Sequence, residues 1–343
     1  MSNTSGNFLT AIIDFLLSLF GKKKPQTPAP SPTPVPVNDP NEPAQPVASR
    51  VLLVVYDPSM EDGQKLSQKL GWYRTDDLIA GFMDDILQNS HGMARYEIVQ
   101  RYDVDEFPAK VDGFRYTPQS YMDVLRGAAS PHMPQEVDYQ AILTRFNVLS
   151  RVSNNEIDEV WVFAFPHAGF YESTMGGAGA FWCNAPPLRD TASCPRRFVL
   201  MGFSYERYIG EMLESFGHRA ESILEKTFEK LQGDANLWQR FIRYEQSAPG
   251  KAACGNIHFA PNSVRDYDWN NPTMVKSECY DWLLNFPNFK GDVRNVTSAE
   301  WGKGEIRAHH QWWIKHLPHV AGRQNGIHNN WWQYVMDVNN VKV

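Results

Sequence analysis

The stretch Tyr205–Leu231, YERYIGEMLESFGHRAESILEKTFEKL, carries the residues best suited to chemistry. Its apolar members Ile209, Met212, Leu213, Phe216, Ala220, Ile223, Leu224, Phe228 and Leu231 fall on one face when each residue turns by about 100°. Glu211, Glu214, His218, Glu221 and Glu225 fall on the opposite face. Glu214 and His218 are i, i+4 neighbours, and His218 and Glu221 are i, i+3 neighbours, so one imidazole has a carboxylate a turn away on either side. That arrangement presents ligands to a single divalent metal, with Glu214, His218 and Glu221 as the expected set. His258, in Cys254-Gly-Asn-Ile-His-Phe259, is the best remote partner by order and context. Glu211 and Glu172 are the candidate catalytic carboxylates. The bland alternative is a solvated Glu-rich helix face with no ligand.

A second cluster follows an expected strand, Phe165-Pro-His167-Ala-Gly-Phe-Tyr-Glu172, with the glycine-rich Met175–Gly179 behind it. Ligand sites in open α/β sheets lie beyond the carboxyl ends of strands, which places His167 and Glu172 well. The run lacks the lysine of a P-loop. A third group is C-terminal: His309, His310, His316, His319 and His328 among Trp312, Trp313, Trp331 and Trp332. Trp312, Trp331 and His319 are expected to line a sugar or peptide groove, against the alternative of an aromatic core.

The Tyr205–Leu231 helix resembles the active-site helix of zinc metallopeptidases, with Phe216-Gly217-His218 where those enzymes read x-Gly-His. The pattern of that family is HExxH. Here Glu214 stands at the first His position, Ser215 at the catalytic Glu position and Leu224 at the third-ligand position of the extended motif. The resemblance implies zinc, with Glu214 replacing an imidazole and another residue acting as base. His218-Arg-Ala-Glu221 also resembles the HxxE pair of zinc carboxypeptidases. Two classes of function follow. One is a metal-dependent, peptidase-like hydrolase. The other is carbohydrate binding or glycoside cleavage, drawing on carboxylates such as Asp57, Glu172, Glu206 and Glu300. A non-catalytic payload is a third reading. GxSxG is absent, which argues against a serine α/β-hydrolase.

The elements that must position these residues are legible from hydropathy. Arg50–Tyr56, Glu159–Phe165 and Arg197–Phe203 are continuous apolar runs that read as buried strands, and Tyr96–Val104 reads as another. Thr75–Asn89, Pro118–Arg126, Asp138–Ser150 and Glu305–His316 read as helices. Strands separated by helices predict an α/β layered sheet. Beyond residue 250 the pattern gives way to a loop-rich, Trp- and Asn-rich half, with a sub-boundary near 250.

Phe8–Phe20, FLTAIIDFLLSLF, reads as a short amphipathic helix whose polar stripe is Thr10, Asp14 and Ser18. Lys22–Lys24 follow it, the reverse of a secretory signal, so an uncleaved docking helix over 1–24 is expected. Nine of the 23 prolines fall between Pro25 and Pro46, predicting an extended linker over 25–49 and a globular part over 50–343. This layout resembles that of cargo proteins of bacterial shells or contractile injection particles. The resemblance implies a protein shell or tube as the partner of residues 8–20. The trailing lysines equally suit a membrane surface.

The 343-residue chain carries 33 Lys and Arg against 39 Asp and Glu, a net charge of −6, and so shows no nucleic-acid footprint. Its four cysteines form no CxxC pair. Two short-loop disulfides, Cys183–Cys194 and Cys254–Cys279, are expected, with four buried thiols as the alternative.

Overall fold

The computed structural model describes residues 38–342. The expected docking helix and the linker up to residue 37 lie outside them. In chain order the elements are β1 (Val47–Tyr56), α1 (Leu66–Lys69), α2 (Thr75–Asn89), β2 (Ala94–Val104), α3 (Pro118–Leu125), α4 (Tyr139–Arg145), α5 (Val148–Ser153), β3 (Glu159–Ala164), β4 (Ser173–Gly176), β5 (Phe198–Ser204) and α6 (Ile209–Phe228). They continue with α7 (Leu237–Phe241), β6 (Val275–Ser277), α8 (Cys279–Asn285), β7 (Arg294–Val296), α9 (Ile306–Lys315), β8 (His319–Gln324), β9 (Ile327–Asn330) and α10 (Trp332–Met336).

Five strands form one mixed sheet in the order β2-β1-β3-β5-β4. The first four are parallel, and β4 runs antiparallel to β5 at the edge. Every residue of β3 is buried, as are Val51–Tyr56 of β1. Helices cover both faces there, which is why these strands read as unbroken apolar runs. The edge strand β2 alternates instead, with Ala94 and Tyr96 buried and Arg95 and Glu97 exposed. The fold is therefore the α/β layered sheet expected from the sequence.

Four expectations change. The helix expected over 138–150 is two helices, because Asn147 takes a left-handed backbone (φ 53°) between α4 and α5. Asparagine tolerates that conformation at small cost. Among the described residues no separate core begins near 250, since Trp238, Trp282, Trp301, Trp313, Trp331 and Trp332 join the same hydrophobic core as the sheet. All four cysteines are free, buried thiols. The folded part also begins before residue 50. Asp39 pairs with Arg323 through backbone hydrogen bonds, and Glu42 accepts two from the Arg323 guanidinium (2.6 and 2.8 Å). The β1 ladder itself starts at Val47.

Helix α6 is held to the sheet by a buried ion pair. The Arg219 guanidinium meets Glu159 at the start of β3, and both side chains are almost wholly buried. Arg219 also donates to the Tyr96 hydroxyl (3.2 Å) and to the Val335 carbonyl (2.8 Å). Glu159 accepts further hydrogen bonds from Trp161 Nε1 (2.8 Å) and Ser49 Oγ (3.2 Å). One pair thus ties together β1, β2, β3, α6 and α10.

Removing one member of such a pair strands its partner's charge, so Arg219→Met is expected to cost about 3–5 kcal/mol in denaturant unfolding. Arg219→Met combined with Glu159→Gln should recover much of that loss; equal instability of the single and double variants would refute the assignment. A chain starting at residue 38 should also melt several degrees above one starting at residue 50, because each kcal/mol is worth about 2–4 °C in a domain of this size class. Equal melting temperatures would restore the boundary at 50.

Candidate metal centre

Helix α6 leaves β5 with its first turn capped by its own sequence: the Glu211 carboxylate accepts the Tyr208 N–H (3.2 Å). Its apolar face packs down through Met212, Leu213, Phe216, Ala220, Ile223 and Leu224, all buried. Glu214 and His218 therefore lie on its other side, toward the segment 254–269. Gly217 lets that segment close in. A Cβ there would stand 2.4 Å from Ile257 Cδ1, so no larger residue fits without moving the loop. The loop is braced by its own residues. Asn256 Oδ1 accepts the His258 and Phe259 N–H groups (3.0 and 2.8 Å), and Trp269 Nε1 donates to the His258 carbonyl (2.9 Å). Trp313 Nε1 donates to the Gly255 carbonyl (3.0 Å).

This packing brings Glu214, His218 and His258 together, with one ligand atom from each mutually within 4.8 Å. His258 Nε2 is 3.2 Å and His218 Nε2 4.0 Å from Glu214 Oε1. The opposite ring nitrogens are held by carboxylates. His218 Nδ1 lies 3.0 Å from Glu221 Oε2, and His258 Nδ1 lies 3.0 Å from Asp266 Oδ1. Glu221 is itself fixed by accepting the Ile257 N–H (2.9 Å). A carboxylate on Nδ1 orients an imidazole and leaves Nε2 as the ligating atom. The Tyr267 hydroxyl donates to Glu214 Oε1 (2.7 Å) and lies 3.0 Å from His258 Nε2. This buried group could hold a metal ion.

The electrostatics suit anionic and neutral ligands. Burial pushes the Glu214 pKa up, but hydrogen bonds from His258 and Tyr267 outweigh it and bring it down to about 2. Burial pushes His218 down, but the hydrogen bond and charge of Glu221 together with the charges of Glu172 and Glu214 give a net upward shift. Behind the group, His309 and His310 meet through their Nδ1 atoms (3.1 Å). Burial lowers His309 to about 3 and also pushes His310 well down, so both are neutral.

Beside the group a cleft of about 300 Å³ opens at the carboxyl ends of β3 and β5, lined by the loop 164–170, Glu172, Ser204, Glu206, Arg207 and Glu211. It continues past Tyr73 and Tyr208 to Glu214 and Tyr267. Lys110 sets one wall. Its buried ammonium donates to the carbonyls of Gln135 (2.7 Å), His167 (2.6 Å) and Ala168 (2.8 Å), matching three donors with three acceptors.

Of the residues singled out in the sequence, Glu214, His218 and His258 converge, and Glu172 and Glu211 face the same cleft. Glu221 is not in the converged trio; it stands behind His218 as its orienting partner. His167 reaches the cleft rim, exposed and with a left-handed backbone, outside the ligand group. Among the described residues, Trp312, Trp331 and His319 form no common groove. Trp331 is 1% exposed and packs among Phe228, Trp238, Phe241, Trp282 and Phe286. Trp312 packs against Trp301 and His316, and His319 stacks on His91 (3.9 Å) away from the cleft. The two indoles hide their rings because aromatic area gains most by leaving water, while His319 is half-buried. Asp266 and Tyr267 were not singled out, since a short acidic-aromatic loop has no periodic signal. No protein-family model, curated protein or solved structure matches the chain.

If the group is a metal centre, calorimetric titration of the intact chain with divalent ions should show one site. His218→Ala and His258→Ala should each weaken it by more than about 100-fold, beyond the usual outer-shell effect, and Glu221→Gln by about 10–100-fold. Because Glu221 raises the His218 pKa, protons compete more strongly there, and affinity should fall on going from about pH 8 to about pH 6. Unchanged binding in both His variants would refute the site.

Proposed function

We propose that the chain is a metal-dependent hydrolase of peptidase type, with zinc held by Glu214, His218 and His258. The observation that supports this reading is the double orientation of the imidazoles: each has Nδ1 on a carboxylate while Nε2 faces Glu214. Two imidazoles and one carboxylate make a ligand set typical of zinc sites that keep a fourth position for water or substrate. Zinc in such a set polarises a carbonyl and makes a water nucleophilic near neutral pH.

The chain's own residues supply the rest. Ser215 occupies the place where an HExxH helix carries its base, so the base comes from elsewhere. Glu172 suits the task. Its charge bears on both His218 and Tyr267, and Asn184 Nδ2 donates to its Oε2 (2.8 Å), fixing the carboxylate at the cleft wall. In this reading Glu172 takes the proton of the attacking water and returns it to the leaving group. Glu211, one turn before Glu214 on α6, adds negative charge to the cleft that receives the substrate. The burial of Trp312 and Trp331 removes the stacking surface on which a glycan reading depended.

With the zinc-loaded chain, hydrolysis of a mixed peptide library is the direct test. Glu172→Gln should lower kcat/KM by about 10²–10⁴-fold while zinc stays bound. Zinc binding without peptide cleavage would refute the hydrolase reading and leave the metal site standing.

A further inference from the structure

Tyr267 lies closer to the candidate ligands than a neighbouring side chain needs to. Its hydroxyl is 2.7 Å from Glu214 Oε1 and 3.0 Å from His258 Nε2, and those two atoms are 3.2 Å apart. For metal–ligand bonds of about 2.0 Å in a tetrahedron, neighbouring ligand atoms stand about 3.3 Å apart. The three atoms therefore already form a face with nearly tetrahedral edges. The Tyr267 oxygen stands at a corner of that face, in the place of a ligand.

The local backbone supports a built position. Tyr267 has φ 55°, a left-handed conformation that a bulky aromatic residue adopts only when its surroundings hold it there. Its ring packs on the His258 ring (4.4 Å) and edge-on to Trp269 (5.1 Å). Asp266, immediately before it, binds His258 Nδ1, and Trp269, two residues after it, donates to the His258 carbonyl. One short segment thus orients the imidazole and delivers the phenol to the same point. The other side of the residue is open, since it is 50% exposed, and it lines the cleft beside Glu172 and Glu211.

We propose that Tyr267 is a fourth, displaceable protein ligand: its phenol oxygen binds the ion that Glu214, His218 and His258 hold, and substrate replaces it from the cleft. The inference rests on the metal reading above. On ligation the O–H bond is lost to solvent as a proton and the oxygen forms the bond to the ion, as ligand groups bind in deprotonated form. The closed set protects the ion at rest, and departure of an exposed side chain opens the position that a hydrolytic site requires.

Zinc added to the metal-free full-length chain should give a near-ultraviolet tyrosinate difference band, one tyrosinate per bound ion. Tyr267→Phe keeps the ring that packs on His258 and Trp269 but should lose the band and bind zinc at least about tenfold more weakly. A crystal structure of the zinc-loaded wild-type chain should place the Tyr267 oxygen within about 2.2 Å of the ion, and this measurement needs no variant to fold. Zinc bound with no tyrosinate band, or with that oxygen beyond bonding distance, would overturn the ligand role and leave the metal site intact. No zinc bound by the wild-type chain would overturn both.

Discussion

The buried pair of Arg219 and Glu159 is the constraint on which the rest hangs. Arg219 follows His218 directly, so fixing its guanidinium on the sheet sets the rotation of α6 about its own axis. With Arg219 turned down to β2, β3 and α10, Glu214 and His218 are turned toward the 254–269 segment. A helix anchored only by apolar contacts could slide or roll by part of a turn at small cost. A desolvated ion pair with several hydrogen-bond partners cannot, because any shift leaves charge unpaired in the interior.

A second constraint acts on the loop that meets this helix. Gly217 provides the close approach, Asn256 folds the loop on itself, and two indole N–H groups hold its carbonyls. The buried tryptophans act inside the fold rather than on a ligand. Trp269 and Trp313 position the loop with their ring nitrogens, and the cluster around Trp331 fills the space beneath. The high aromatic content thus serves a chain whose last third has little regular secondary structure and needs large side chains to build a core.

The site itself is a balance of opposed terms. Burial alone would neutralise Glu214 and would also hold His218 neutral. The hydrogen bonds to Glu214 keep it anionic at about 2, and Glu221 draws His218 back toward the charged form. Without an ion, the carboxylates, imidazoles and phenol satisfy one another. An arriving cation would take over that role, which makes the same geometry serviceable with or without it.

Much of this was legible in the chain alone. The apolar runs of β1, β3 and β5 and the amphipathic period of α6 depend on neighbours within a few residues, so the layered sheet and the Glu214–His218 face followed from spacing. His258 was identifiable as the remote partner from its order and context. Other features depended on contacts far apart in sequence. Arg219 meets Glu159 across 60 residues, and Glu42 meets Arg323 across 281; neither separation leaves a local trace. Glu221 is a carboxylate at helical spacing from His218, which describes a ligand and an orienting partner equally well. Only the direction of the ring, with Nδ1 on Glu221 and Nε2 toward Glu214, distinguishes them. Trp331 lies in the core rather than in a groove, and Tyr267 lines the cleft, for the same reason. Residue type sets how much a ring gains by burial or by hydrogen bonding, but whether it meets core or cleft is decided by which surfaces the fold brings against it.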